Sequence, residues 1–269
     1  TGTMCYYSND VSDYVLGYVL GVEWDEMFVD YVCRFNEGIA PYQGTYVSSR
    51  QEANAVEIFF SQWGDYLLNY EDETYGTQKL LSFANWPETD PLVNEVSPKL
   101  SVASATENTE AFIDLENLQL SDEVESGMFA SYNVYPYFPA SLQYGKYTEY
   151  IDDEGNRNPY RKYLMELVDH HSCPVIITEY GVPASRTPAY KDVWRNLSQG
   201  GNNETEQGIA LLEMYEDIQK AGCAGGLVFT WQDEWFKRSW NEKNLSNPDG
   251  RASWSNAQSV EQFYGLLAF

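Results

Sequence analysis

Two glutamates close apolar runs in this chain. In Cys173-Pro174-Val175-Ile176-Ile177-Thr178-Glu179-Tyr180-Gly181, four consecutive β-branched residues follow the proline. This reads as a short strand buried on both faces that stops at a carboxylate, an aromatic ring and a glycine. The earlier run from Tyr14 to Trp24 is apolar until Glu23, with Gly17 and Gly21 allowing a neighbouring backbone to come close. A third run, Gly225-Gly226-Leu227-Val228-Phe229-Thr230-Trp231, ends in the polar and aromatic cluster Gln232-Asp233-Glu234-Trp235. A carboxylate at the carboxyl end of a buried parallel strand is where barrel enzymes keep their chemistry. Taken alone, each stretch also fits a core strand followed by a loop or N-cap carboxylate.

The segments between these runs must position their ends. A helical piece near Asp25 to Arg34 leads to the loop Gly38 to Gly44, which is long enough to overhang a site and equally suited to be a plain connector. From Gln51 to Tyr70, Val56, Phe59, Phe60, Trp63, Tyr66, Leu67 and Tyr70 recur at helical spacing and predict a packing helix. Lys79 to Ala84 reads as a strand that ends in the turn-rich Asn85-Trp86-Pro87-Glu88-Thr89-Asp90-Pro91. Residues 92 to 126 form an acidic connection, with a short strand or turn at Ala111 to Leu115. Gly127 to Pro139 begins as a strand and finishes as an aromatic loop, and Asn133 and Tyr135, two apart, point the same way. Asn158-Pro159 caps a helix whose face is Tyr160, Tyr163, Leu164, Leu167 and Val168. The helix Glu206 to Ala221 carries Ile209, Leu212, Tyr215 and Ile218 on one face and stops at Gly222.

Apolar strands alternating with helices predict a parallel sheet covered by helices. Polar residues placed after the strands suit a (β/α) barrel better than a doubly wound sheet, and no Gly-x-Gly-x-x-Gly or Walker-type loop suggests a nucleotide. Five strands can be counted, ending near Glu23, Ala84, Val134, Glu179 and Trp231. A complete barrel has eight.

Composition narrows the chemistry. With 269 residues, of which 43% are hydrophobic, the chain can bury one large core. A formal charge of -25 argues against a nucleic-acid partner, which demands clustered Lys and Arg. Twenty-two Tyr and eight Trp in an acidic chain fit a sugar binder, although most of them must be packing residues. No run approaches the length of a membrane span. The cysteines show no Cys-x-x-Cys spacing, so Cys173 and Cys223 read as small buried residues. His170 and His171, adjacent at a helix end, read as a solvated terminus. No His, Cys and carboxylate cluster has metal-ligand spacing, so neither a metal nor another cofactor is expected.

The order of these strands resembles the carboxyl-terminal five strands of a retaining clan A glycoside hydrolase, the group that includes the family 2 and family 5 enzymes. In that group, strand four ends in the acid/base Glu and strand seven in the nucleophile Glu. Leu20-Gly21-Val22-Glu23-Trp24 is similar to the first position and Ile177-Thr178-Glu179-Tyr180-Gly181 to the second. Asn133-x-Tyr135 resembles the strand-six segment whose tyrosine supports the nucleophile, and Trp231 the strand-eight tryptophan that floors the sugar site. Thr230 to Lys237 and Gln262-Phe263-Tyr264-Gly265-Leu266-Leu267 resemble a bacterial group of family 2-like barrel glycosidases more closely still.

The resemblance implies a TIM (β/α)8 barrel in which residues 1 to 269 supply about strands 4 to 8. Strands 1 to 3 would lie elsewhere in the same protein or on another chain. It implies hydrolysis of β-linked glycosides with retention, Glu179 acting as nucleophile and Glu23 as acid/base. Trp231, Tyr135, Asn133, Asn85, Trp86, Trp24, Tyr180, Asp233 and Glu234 are its candidate substrate contacts. An extracellular or cell-surface setting is expected ahead of a cytoplasmic one. The sequence departs from the family at Val22, where asparagine usually precedes the acid/base, and at Asn133, where histidine is common. Val22 leaves open a second reading, a carbohydrate-binding barrel without catalysis.

Overall fold

The computed structural model describes residues 9–92, 112–186, 188–234, 236–237 and 259–268. Among these, strands and helices follow in the order β1 (Gly17–Leu20), α1 (Glu26–Phe35), β2 (Val47–Ser49), α2 (Ala55–Tyr75), β3 (Leu80–Asn85), β4 (Leu118–Leu120), β5 (Ala130–Asn133), α3 (Pro159–His170), β6 (Val175–Tyr180), α4 (Glu204–Lys220) and β7 (Gly225–Val228). Five strands form one parallel sheet in the order β1-β3-β5-β6-β7. Curled, with helices interleaved along the chain, this sheet is a half-barrel, so the chain is an α/β fold. Parallel neighbours require crossover connections, and these bring every strand's carboxyl end to the same rim. Cys5, Trp235 and residues 93–111, which hold most of the acidic connection, lie outside the described residues.

The helices begin where side chains satisfy their free N–H groups. Asp25 accepts from Phe28 N at 3.0 Å, and Asn158 accepts from Arg161 N at 3.0 Å beside Pro159 in the first turn. Asn54 with Glu57 and Asn203 with Glu206 form reciprocal capping boxes. Each cap contributes on the order of 1 kcal/mol. The cap at Asn54 explains why α2 starts at Ala55 and not at Gln51.

Other expectations need correction. The short antiparallel pair β2–β4 was not legible, and the loop before it is a connector in which the Tyr42 hydroxyl donates to Asp65 of α2 at 2.8 Å. Of the strand or turn expected up to Leu115, the turn is what forms, a single 3-10 turn at Leu115–Asn117. On α4 the buried stripe is Ala210, Leu211, Met214 and Ile218, together with Gln207 and Asp217, while Ile209 and Leu212 are exposed. Polar residues turned this helix. Asp217 accepts from Arg161 Nε at 2.7 Å and Asn158 Nδ2 at 2.8 Å and pairs with Arg195, and Gln207 donates to Val182 O at 3.0 Å. On α2, likewise, Asp65 and Glu71 face inward and Phe59, Tyr66 and Tyr70 outward. Tyr132, Tyr163, Leu164, Leu167, Ile177, Met214 and Ile218 are among the fully buried residues between sheet and helices. Each such aliphatic side chain contributes roughly 1.5–3 kcal/mol.

Candidate active site

Glu23 stands three residues beyond β1. Gly21 makes the turn that carries the chain there, with φ +89°, and a Cβ at this position would lie 2.3 Å from the Trp24 ring. Only glycine combines that dihedral with that contact. Trp24 then ties the turn to β3. Its indole N–H donates to Ala84 O at 3.0 Å, its ring packs against Phe60 at 5.2 Å, and the Trp86 indole donates back to Trp24 O at 2.7 Å. Two tryptophans therefore lock the segment that carries Glu23, while Val22 is 70% exposed.

Glu179, the last residue but one of β6, is in register with Asn133 of β5, and Val134 N donates to Glu179 O at 3.0 Å. Asn133 and Tyr135 reach the two carboxylates separately. The Tyr135 hydroxyl donates to Glu179 Oε2 at 2.7 Å, and Asn133 Nδ2 donates to Glu23 Oε1 at 3.3 Å. Asn133 is itself oriented by Thr178, whose hydroxyl donates to its Oδ1 at 3.0 Å. The two carboxyl groups, distant in sequence, are thus held by residues two apart, which is roughly 6.6 Å along a strand.

Their surroundings differ. Around Glu23, burial of the carboxyl by protein atoms is the largest influence and repulsion from Glu179 the next, and together they push its pKa up to about 7. By accessible area the residue is nevertheless exposed, and solvent screens part of this effect. Burial also raises Glu179 above the usual carboxylate range, but the Tyr135 hydrogen bond and the Lys237 charge pull it back. Tyr135 is held well above its ordinary value, first by burial and then by Glu179, so it remains a donor. One carboxyl is pressed toward the protonated form and the other is given groups that favour its anion.

The remaining expected contacts separate into three sets. Trp231, beyond β7, is 68% exposed, and its carbonyl accepts from Leu267 N at 3.1 Å. Glu234 binds Lys237 at 2.8 Å and raises the Glu179 pKa, so it belongs to the same electrostatic neighbourhood. Asp233 accepts from Gly265 N at 2.9 Å and thereby holds the terminal segment against β7. Asn85 is turned to its own loop: its amide donates to Ile113 O, and its carbonyl accepts from Trp86 N and the Thr89 hydroxyl. Tyr180 faces away from Glu179, as strand alternation requires, and its buried ring stacks on Tyr215 of α4 at 6.3 Å. Trp24 and Trp86, half-buried, are used in the mutual lock described above, and Trp86 also stacks on Phe138 at 5.9 Å.

Lys237 and Tyr264, which lie in the segments that carry the sequence resemblance, and Tyr137 beyond β5 were not singled out as site residues. Lys237 sits 4.1 Å from the Phe229 ring centroid and 2.8 Å from Glu234. Tyr137 and Tyr264 share a short hydroxyl contact, and their rings lie 5.5 and 6.1 Å from that of Tyr135. Gln199 also donates to Tyr264 at 3.2 Å. A tyrosine cluster therefore stiffens the hydroxyl that faces Glu179. No protein-family model matches the chain, and no curated protein matches it.

Proposed function

We propose that the chain is the carboxyl-terminal, catalytic part of a (β/α)8 barrel that hydrolyses β-linked glycosides or oligosaccharides with retention of configuration. The observation that carries this reading is the divided environment of the two carboxyls, with Tyr135 donating to Glu179 and Glu23 raised to about 7 beside it. Retaining hydrolysis needs one carboxylate to attack the anomeric carbon and one carboxylic acid to protonate the leaving oxygen, about 5–5.5 Å apart. In this reading Glu179 attacks and forms the glycosyl ester. Glu23 gives its proton to the departing oxygen and then, as a base, takes one from the water that cleaves the ester. Asn133 keeps Glu23 aimed, and the exposed face of Trp231 offers a sugar platform. The three further strands would pair with border strands β1 and β7, where Val19 and Leu227 remain 40% and 58% exposed among the described residues.

The pH profile of kcat/KM follows from the same pair. It is expected to be bell-shaped, rising as Glu179 ionises and falling at about pH 7 as Glu23 loses its proton. Glu23→Gln in the complete barrel should remove the alkaline limb, and its persistence would sink the acid/base assignment. Tyr135→Phe should lower kcat about 10- to 100-fold, because a hydrogen bond to an ionised group is worth roughly 1.5–3 kcal/mol. It should also move the acid limb to higher pH, since the lost bond was lowering the Glu179 pKa. A loss of rate with an unmoved acid limb would mean that Tyr135 only packs. If a broad panel of aryl β-glycosides is left intact while oligosaccharides still bind, the non-catalytic sugar-binding reading takes over.

A further inference from the structure

At the opposite end of β6 from Glu179 the fold gathers donors that sequence spacing had hidden. Glu116, His171 and Cys173 offer one ligand atom each, all within 4.8 Å of one another. Asp114, His170 and His171 make an overlapping set with the same closeness. The expectation that no His, Cys and carboxylate cluster exists is therefore corrected, and so is the solvated helix end, because His171 is 8% exposed. The carboxylates come from the turn at Leu115–Asn117 and the residue before it, and the histidines and cysteine from the junction of α3 with β6. Six residue steps of extended chain, roughly 20 Å, separate Cys173 from Glu179, so this cluster is remote from the candidate active site.

We propose that Glu116, His171 and Cys173 bind a divalent transition-metal ion of the zinc class and that the ion pins the segment before β4 to the start of β6. An oxygen, a nitrogen and a sulfur donor suit a borderline ion such as Zn2+ and are a poor match for Mg2+ or Ca2+. Donors around a tetrahedral zinc stand about 3.3–3.8 Å apart, so the side chains need to close by only about 1 Å. The His171 ring is already oriented. Tyr132 OH lies 2.7 Å from Nε2, leaving Nδ1 toward Glu116 Oε1 at 3.2 Å. An outer partner of this kind is typical of a ligating histidine, whose second nitrogen is held while the first meets the metal. The carboxylate turn is fixed from behind as well, with Glu57 of α2 accepting from Asp114 N at 2.7 Å and Asn117 Nδ2 at 2.9 Å. Cys173 is a free thiol.

Cobalt(II) added to the metal-free chain tests the proposal, because a cysteine ligand produces a sulfur-to-cobalt charge-transfer absorption. The expected result is saturation at one equivalent, tetrahedral visible bands, displacement by zinc and a melting temperature that rises with zinc. Cys173→Ser should erase the charge-transfer band without altering the circular dichroism, whereas Cys223→Ser should leave it intact. Glu116→Gln should weaken binding at least about 10-fold. A band absent at millimolar cobalt, or one that survives Cys173→Ser, would overturn the assignment and leave the cluster a hydrogen-bond network only.

Discussion

Glu179→Gln is expected to lower kcat on aryl β-glycosides by ~10^4-fold or more in the complete barrel, with the protein still folded and still binding sugar. The amide matches the carboxylate in shape and can still take the Tyr135 hydrogen bond, so the loss isolates the nucleophile. Glu23→Gln should behave differently. It removes a proton donor, an effect of ~10^2- to 10^4-fold, and this should shrink toward nothing with leaving groups so acidic that they depart unprotonated. The measurement is kcat and kcat/KM for each variant across phenols of graded acidity. If both variants respond alike, the division of labour between the two carboxyls is wrong. Their environments differ in the direction such a division needs, since Tyr135 and Lys237 favour the anion of Glu179 and Glu179 itself disfavours the anion of Glu23.

The largest effect on stability is expected at Asp217, which lies between α3 and α4. Its side chain is inaccessible to solvent and takes Arg161, Arg195 and Asn158 together. Asp217→Ala leaves two largely buried guanidinium groups without their shared acceptor and should cost about 3–5 kcal/mol, the usual penalty for breaking a buried pair from one side. Glu213 meets the same Arg195 at 3.4 Å but has a side chain 45% exposed, so Glu213→Ala should change stability by less than about 1 kcal/mol. Urea unfolding checks both, read as a shift of the midpoint at constant slope. A midpoint for Asp217→Ala close to that of the parent would show that Asp152 and Asp153 satisfy Arg161 unaided.

Asp217 also marks what the sequence could and could not disclose. Strands were legible because Val175 to Thr178 and Gly225 to Val228 are uniformly apolar or small, and the start of α3 because Asn158-Pro159 announces it, whereas the caps Asn54 and Asn203 set starts that the apolar spacing alone misplaces by a few residues. The helix faces were less so. On α4 a hydrophobic count favours Ile209 and Leu212, and only the location of Arg161 and Arg195, on other segments, reveals that Asp217 must face inward. Glu23 and Glu179 could be singled out as strand-end carboxylates, yet the link between them, Asn133 to one and Tyr135 to the other, depends on the β5–β6 register. Tyr180 was drawn to the site by adjacency alone, and strand alternation turns it to α4. Lys237 and Tyr264 lie in segments whose resemblance was visible, yet their approach to Glu179 depends on how the chain beyond β7 folds. The cluster at His171 shows the same limit, since its carboxylates are separated from it by the whole of β4, β5 and α3.

Covalent capture of a sugar by Glu179 tests the proposed reaction most directly. The complete barrel should be incubated with 2,4-dinitrophenyl 2-deoxy-2-fluoro-β-glycosides of the gluco, galacto, manno and xylo series, digested, and its peptides weighed and sequenced. One added sugar is expected, on the Glu179 side chain, formed at a rate that Tyr135→Phe slows. A label on another carboxylate, or turnover of an ordinary aryl β-glycoside to the inverted anomer with no label on Glu179, would contradict it.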